Sequence, residues 1–268
     1  MGIDLLLALA GLAAGLFGAL LGLGGGILIV PLLTLAFGYP LTIAVATSLV
    51  CVIATSTGAA ARNVRTGRAD VRLGLTLESG TVIGALTGGI VAGFLPERVL
   101  AGLFAVLMLY TAINMARGLR KPAADGGGSE ALDAAAPDGR DAPAYRRHRL
   151  VPALAGSFVA GNVSGLLGIG GGAIKVPLVH LLMGAPIGIA VATSNFIIGV
   201  TAAAGAYAYL IRGDVDPGIT GPVVLGVAAG AAIGARVGEH INPRWLAVLF
   251  LFVVLYVAVQ MAMRALSS

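Results

Sequence analysis

GLFGALLGLGGGILIVPLLTLAFGYPLTIAVATS, residues 15–48, returns 146 positions later as GNVSGLLGIGGGAIKVPLVHLLMGAPIGIAVATS, residues 161–194, identical at 19 of 34 positions without a gap. Gly22-Leu23-Gly24-Gly25-Gly26 aligns with Gly168-Ile169-Gly170-Gly171-Gly172, Pro31 with Pro177, and Ala44–Ser48 with Ala190–Ser194. The register continues through Gly67/Gly213, Asp70/Asp216, Gly84/Gly230, Gly88/Gly234, Arg98/Arg244 and Tyr110/Tyr256. Chance does not hold one offset for a hundred residues, so the chain reads as two copies of one unit.

Composition says what each unit is made of. Of 268 residues, 58% are hydrophobic and only 11% charged, and mean hydropathy is +0.97. A soluble domain carries about 25% charged residues, so lipid must cover much of this surface. A bilayer core takes about 20 apolar residues of helix. Apolar stretches run over 3–37, 42–61, 71–95 and 98–117, and again over 150–182, 187–211, 217–238 and 244–264. The expected fold is an all-α polytopic membrane protein of two homologous four-segment repeats, about eight transmembrane segments. Residues 1–120 form the first repeat and 149–268 the second. Between them, 121–148 (KPAADGGGSEALDAAAPDGRDAPAY and the basic residues after it) has no amphipathic period and reads as a disordered cytoplasmic linker. Asp4 is the first charge of the chain and no basic residue precedes the apolar run, so residues 3–22 read as membrane domain rather than a cleaved signal.

The first stretch of each repeat is too long for one straight crossing: its 35 residues would make a helix of about 50 Å. The GLGGG and GIGGG runs fall near the middle, and glycine both disfavours helix and permits other dihedrals. Pro31 suits a new helix start better than a helix middle. Two helical pieces are therefore expected on either side of non-helical backbone, which at membrane depth must be protein-buried or line a cavity. Two topologies follow. A single broken crossing gives four spans per repeat and parallel copies; a re-entrant hairpin gives three spans and inverted copies. Parallel copies leave Arg98, Arg236 and Arg244 outside, and inverted copies leave Arg98, Arg212 and Arg264 outside. With Lys175 set aside, both put 13 basic residues inside and 3 outside, so the positive-inside bias does not choose. That bias also explains the net charge of +5 without a nucleic-acid partner.

Internal repeats in a polytopic protein point to a secondary transporter with its site where the copies meet. Free N–H groups and the positive dipole end make a helix N-terminus an anion site, which nominates Gly24, Gly25 and Gly26 with Gly170, Gly171 and Gly172. The alternative is that glycines only admit close helix packing, the expected role of Gly11, Gly15, Gly18, Gly84, Gly88 and Gly89. Lys175 lies three residues after Gly172, where the first copy has Ile29. An intramembrane lysine costs about 2.5–3.5 kcal/mol on insertion scales and marks function by default; the alternative is a lysine snorkelling to an interface. Glu78, opposite Val224, is a proton-coupling candidate, or else a structural partner of Lys175 or an arginine. Thr47, Ser48, Thr193, Ser194 and Asn195 offer hydroxyls and an amide to an oxyanion, or cap and cross-link helices. Asn162, Ser164 and His180 occur only in the second copy and are candidate substrate tuners. A single cysteine, Cys51, and three dispersed histidines support no disulfide, metal or cofactor, and no nucleophile–base pair supports an enzyme.

GLFGALLGLGGGILIVPLLT and its copy GLLGIGGGAIKVPLVH, each followed by AVATS, resemble the TauE/SafE family of membrane transporters. The resemblance covers nearly the whole chain apart from the linker. It implies movement of small sulfur-containing anions, such as sulfite, sulfoacetate or related organosulfonates, across a bacterial inner membrane. The expected partners are that anion, the lipid bilayer and a proton as coupling ion, with a homo-oligomer left open. The alternatives are transport of another organic anion and an anion channel. No ATP-binding motif is present, so a gradient must drive transport.

Overall fold

The computed structural model describes residues 2–20, 26–65, 71–120, 150–183, 187–237 and 243–267. Gly24, Gly25 and the expected linker 121–148 lie outside the described residues. Within the described residues the chain is helical and has no strand: α1 (Gly2–Leu20), α2 (Gly26–Pro31) running into a π-helical turn (Leu32–Ala36), α3 (Leu41–Arg65), α4 (Val71–Ala92), α5 (Glu97–Arg120), α6 (Leu150–Leu167), α7 (Gly172–Met183), α8 (Ile187–Arg212), α9 (Pro217–Val237) and α10 (Pro243–Ser267). Six of these are long and apolar enough to cross a membrane, and three apolar helical stretches are shorter: Gly26–Ala36, Leu41–Thr57 and Val151–Leu167. Large apolar side chains such as Phe94, Val151, Leu225 and Leu266 stand exposed on the outside, as a lipid-facing surface requires.

The second long stretch divides where its glycines fall, and in the first, residues 21–25 lie outside the described residues. In the second, Gly168, Gly170 and Gly171 adopt φ of +74°, +73° and +77°, a region that excludes side chains with a Cβ. The chain turns there between α6 and α7. Pro31 differs from expectation: it does not open a helix but stands at the end of the α-helical part of α2. Its ring nitrogen has no hydrogen to donate, and the helix widens into the π turn directly after it. Thr34 answers locally, its hydroxyl bonding the Val30 carbonyl at 2.7 Å.

Helices pack across the copies. α1 lies on α9 and α4 on α6, while α3 pairs with α8 and α5 with α10. The first two contacts are backbone against backbone. A Cβ on Gly15 would overlap the Val227 carbonyl and one on Gly230 the Leu12 carbonyl; in the other pair, a Cβ on Gly161 would overlap Thr81 and one on Gly84 the Phe158 carbonyl. Gly15/Gly161 and Gly84/Gly230 are matched positions of the repeat. Gly11, Gly15, Gly84 and Gly88 therefore serve close helix approach.

The same contacts give directions. Ala8, Leu12 and Leu16 meet Gly226, Gly230 and Gly234 in order, so α1 and α9 run parallel; Leu154, Phe158 and Asn162 meet Gly80, Gly84 and Gly88, so α6 and α4 do too. Leu49 meets Gly205 and Ser56 meets Gly199, so α3 and α8 run antiparallel. Ser164 meets Gly171 while Gly156 meets Leu178, so α7 folds back along α6 as a hairpin. A tight turn at Gly213 reverses α8 into α9, which makes α1 parallel to α3. α2 runs against α3, with Gly26 beside Ser48 and Val52 and the Tyr39 N–H bonded to the Leu33 carbonyl at 3.1 Å where the chain enters α3. The first long stretch folds back as well.

Two arginines tie the ends of the bundle. Arg264, near the end of α10, bonds Glu97 at the start of α5 and the Thr34 carbonyl, both at 2.9 Å. Glu97 also accepts the Leu41 N–H at 3.2 Å. Arg212, at the end of α8, bonds the Gly89 carbonyl of α4 and pairs with Asp214 at 2.7 Å.

Overpacking a close contact costs about 1–3 kcal/mol. Gly84→Ala is therefore expected to lower the thermal midpoint of the detergent-purified protein clearly, and Gly221→Ala, where a Cβ meets nothing within 4 Å, is not. Equal midpoints would refute the close approach of α4 and α6.

Candidate functional site

Four buried polar side chains meet where α4, α7 and α8 pack. Glu78 and Thr81 sit one helical turn apart on α4, Lys175 occupies the first turn of α7, and Thr201 faces them from α8. Lys175 Nζ lies 3.1 Å from Glu78 Oε2 and also donates to Thr201 Oγ1. Thr201 donates to Glu78 Oε1 at 2.6 Å, and Thr81 donates to Oε2 at 2.7 Å. Lys175 is 2% exposed and Glu78 4%, which excludes a lysine snorkelling to an interface. Of the alternatives open for Glu78, the structure shows pairing with Lys175.

The pair resolves a local conflict. A cation in the first turn of a helix faces the positive dipole end, an interaction of about 0.3–1 kcal/mol, up to about 2 when partly buried. Glu78 supplies the opposite charge at that place. The lysine is therefore not an uncompensated charge awaiting an anion; its partner is built into the fold.

Beside the pair is the tip of the α6–α7 hairpin. The N–H groups of Ile174 and Lys175 already bond the Gly171 carbonyl at 3.2 and 3.0 Å, whereas Gly172 and Ala173 precede the first intrahelical bonds. A Cβ on Gly171 would meet Ser164 Cβ at 3.3 Å and Lys175 Cε at 3.6 Å. Ser164 is fully buried, and its hydroxyl has no hydrogen-bond partner. Two surface grooves of about 560 and 310 Å³ open elsewhere, beside Asp4 and Leu225 and beside Phe94 and Arg212.

Among the other sequence candidates, some hold helices together and the Ser194 hydroxyl stands unpartnered. Ser48 directs its single hydroxyl proton at two carbonyls, Gly26 at 3.0 Å and Gly168 at 2.7 Å, and so brings the two Gly-rich breaks together. Thr47 bonds Thr220 of α9 at 3.0 Å. These are cross-links between helices. Thr193 and Ser194 are fully buried, Asn195 is half-buried, and the Ser194 hydroxyl has no partner. Gly26 opens α2, which continues through its π turn to Ala36, a helical stretch close in length to the 12-residue α7. Asn162 bonds Thr87 at 3.2 Å; the His180 side chain lies outside the described residues. Sequence reasoning missed Thr81 and Thr201. Thr201 has a signal, a hydroxyl on the apolar α8 one helical face from Ser194 and Ile197. Thr81 had one too, three residues after Glu78.

Removing one member of a buried pair costs about 3–5 kcal/mol because the other charge is left uncompensated. Lys175→Met and Glu78→Gln are each expected to destabilise the protein by that order. The double variant is expected to lose less than either alone, measured by thermal unfolding in detergent. Additive losses would show that the two do not interact.

A family model described as "Sulfite exporter TauE/SafE" matches residues 7–261. Similar proteins include the probable membrane transporter protein YunE of Bacillus subtilis, 29% identical over 253 residues that cover 89% of this chain and 88% of that one. The probable membrane transporter protein MJ0441 of Methanocaldococcus jannaschii is 29% identical over 211 residues, 76% of this chain and 72% of its own. A probable membrane transporter protein of Haemophilus influenzae is 25% identical over 254 residues, 88% and 86% of the two chains. No solved structure matches. Apolar helices of spanning length and relatives named as probable membrane transporters, matched over 72–88% of their own length, describe one thing, a multi-pass membrane transporter. The chain belongs to the sulfite exporter TauE/SafE family.

Proposed function

We propose that this protein is a secondary transporter of small sulfur-containing anions, sulfite, sulfoacetate or a related organosulfonate, across a bacterial inner membrane. The observation that carries the anion site is Lys175, buried in the first turn of α7 at the tip of a fold-back hairpin, beside an unpartnered Ser164 hydroxyl. The N–H groups of Gly172 and Ala173, the Ser164 hydroxyl and the Lys175 ammonium are donors of the kind an oxyanion takes. The family description supplies the sulfur. Glu78, the ionisable neighbour of Lys175, is the proposed carrier of a coupling proton. Ser194 and Asn195 lie on the helix that follows the hairpin and are proposed to complete the path.

We further read the two copies as inverted. Exchange of α1 onto α9 and of α6 onto α4 is the pattern that a two-fold relation between copies produces, and antiparallel α3 and α8 put that axis in the membrane plane. The Glu97–Arg264 ion pair supports this, because parallel copies would hold those residues on opposite sides of the bilayer. Inverted repeats with a site between them suit alternating access by rocking one against the other.

In proteoliposomes, saturable uptake of sulfite, sulfoacetate or methanesulfonate is expected to exceed uptake of acetate. It should be lost in the Lys175→Met/Glu78→Gln double variant, which retains the fold. Preference for acetate would overturn the sulfur assignment, conductance without saturation would indicate a channel, and full activity of the double variant would remove Lys175 from the site. A reporter fused after Ser268 is expected on the face opposite to one inserted in the 121–148 linker; the same face for both would overturn the inverted arrangement.

A further inference from the structure

We propose that Lys175 exchanges partners during transport. An anion arriving at the tip of α7 takes the ammonium from Glu78, and Glu78, left without its counter-charge among apolar helices, takes one proton from water. One proton then travels with each monovalent anion, and the loaded site carries the same net charge as the empty one. The inference rests on the anion reading above and adds the linkage and its stoichiometry.

The geometry gives the lysine two destinations. Its Nζ reaches Glu78 and Thr201, while its Cε abuts Gly171 together with Ser164 Cβ at the hairpin tip. The Ser164 hydroxyl is fully buried and unpartnered. A buried orphan of that kind calls for a missing partner, and here it stands with the stem of a cation beside Gly171, the residue that precedes the 12-residue α7.

The surroundings explain why a proton must follow. Facing the pair, α6 carries no charged residue. α8 carries only Arg212, eleven positions beyond Thr201 and already held by Asp214 and the Gly89 carbonyl. On α7 the other titratable residue is His180, and on α4 the other charged residue is Arg72; both side chains lie outside the described residues. The Lys175–Glu78 pair is neutral as a unit, so an added anion leaves a net buried negative charge unless the carboxylate is protonated. Both protonation states of Glu78 can be satisfied in place. A threonine hydroxyl donates to a carboxylate and accepts from a carboxylic acid, and Thr201 and Thr81 are on the two oxygens, at 2.6 and 2.7 Å.

The first copy cannot repeat the exchange. At the positions of Glu78, Thr81, Ser164 and Lys175 it or its packing partner has Val224, Val227, Gly18 and Ile29. The stoichiometry is therefore one proton per cycle, not two.

The test uses methanesulfonate, which stays monovalent and carries no proton of its own. On purified full-length protein, binding is expected to take up one proton per anion from weakly buffered solution. The apparent affinity is expected to rise about tenfold for each pH unit of acidification while Glu78 is ionised. Glu78→Gln, which mimics the protonated acid, is expected to bind at least as tightly with no pH slope and no proton uptake. Added anion should raise its thermal midpoint more than it raises that of the wild type. His180→Gln should keep the wild-type slope. Binding without proton uptake, or a slope that survives in Glu78→Gln, would overturn the exchange while leaving the anion site intact. No binding of methanesulfonate, sulfite or sulfoacetate by the wild type would overturn the anion reading itself, and the exchange with it. If Glu78→Gln fails to fold, wild-type proton uptake and a protonated-carboxyl infrared band on anion binding still decide the matter.

Discussion

A chain that turns back within a bilayer leaves main-chain groups where water cannot serve them, and each must find a partner in the protein. This constraint organises the structure. The turn at Gly168–Gly171 is possible because three glycines take left-handed dihedrals, and the Gly168 carbonyl it exposes is met by Ser48 from the other copy. The same hydroxyl reaches the Gly26 carbonyl. One small side chain in the first third of α3 thus links the two hairpins. Around that link Val45 and Val52 of α3 and Ile198 of α8 pack against the turn at Gly168 and Gly170. Without the tight packing, the polar backbone would be exposed to lipid.

Much of this was legible in the sequence, for reasons of period and composition. Apolar runs bounded by charge mark helices within a few residues of where they lie, as 71–95 and 217–238 do against Val71–Ala92 and Pro217–Val237. Glycine runs mark breaks because no other residue takes those dihedrals. Whether each break is a crossing or a return was not legible. Both put the same number of basic residues on each side, and only a contact between distant segments, such as Arg264 with Glu97, bears on the choice. The exchange of α1 and α6 between copies hides for the same reason: the four-residue spacing of Gly80, Gly84 and Gly88 announces a close neighbour without naming it.

The candidate site divides along the same line. Glu78 and Lys175 stand out as charges in apolar runs, since such residues are costly there and rarely idle. That they pair depends on depth and helix rotation, and an error of two residues in either would separate them. Thr81 and Thr201 were overlooked because a threonine in a membrane helix usually returns its hydroxyl to the preceding turn. Both retain such bonds here, to Glu78 O at 3.1 Å and Ile197 O at 3.3 Å, while also holding the carboxylate. Sequence cannot tell a hydroxyl that only turns back from one that also reaches across.

Duplication would favour two equal sites, but the polar cluster at Glu78 and Lys175 has no twin in the sequence. The scaffold is kept in both copies: the glycine ladders, the breaks and the serine of AVATS recur in register. The charges do not: valine stands at the match of Glu78 in the second copy, and isoleucine and glycine stand at the matches of Lys175 and Ser164 in the first. A second buried ion pair would bring a second desolvation cost with only partial Coulombic return. An apolar twin avoids it while still supplying the surface against which the charged hairpin folds. The first copy is not idle in this arrangement. α4, which carries Glu78, belongs to it, and α7, which carries Lys175, belongs to the second. The ion pair therefore joins a helix from each half of the sequence repeat, and in the proposed rocking of one half against the other it must stretch or be remade. On the proposed alternating-access reading, a charge pair placed there is where a bound ion has leverage over the cycle.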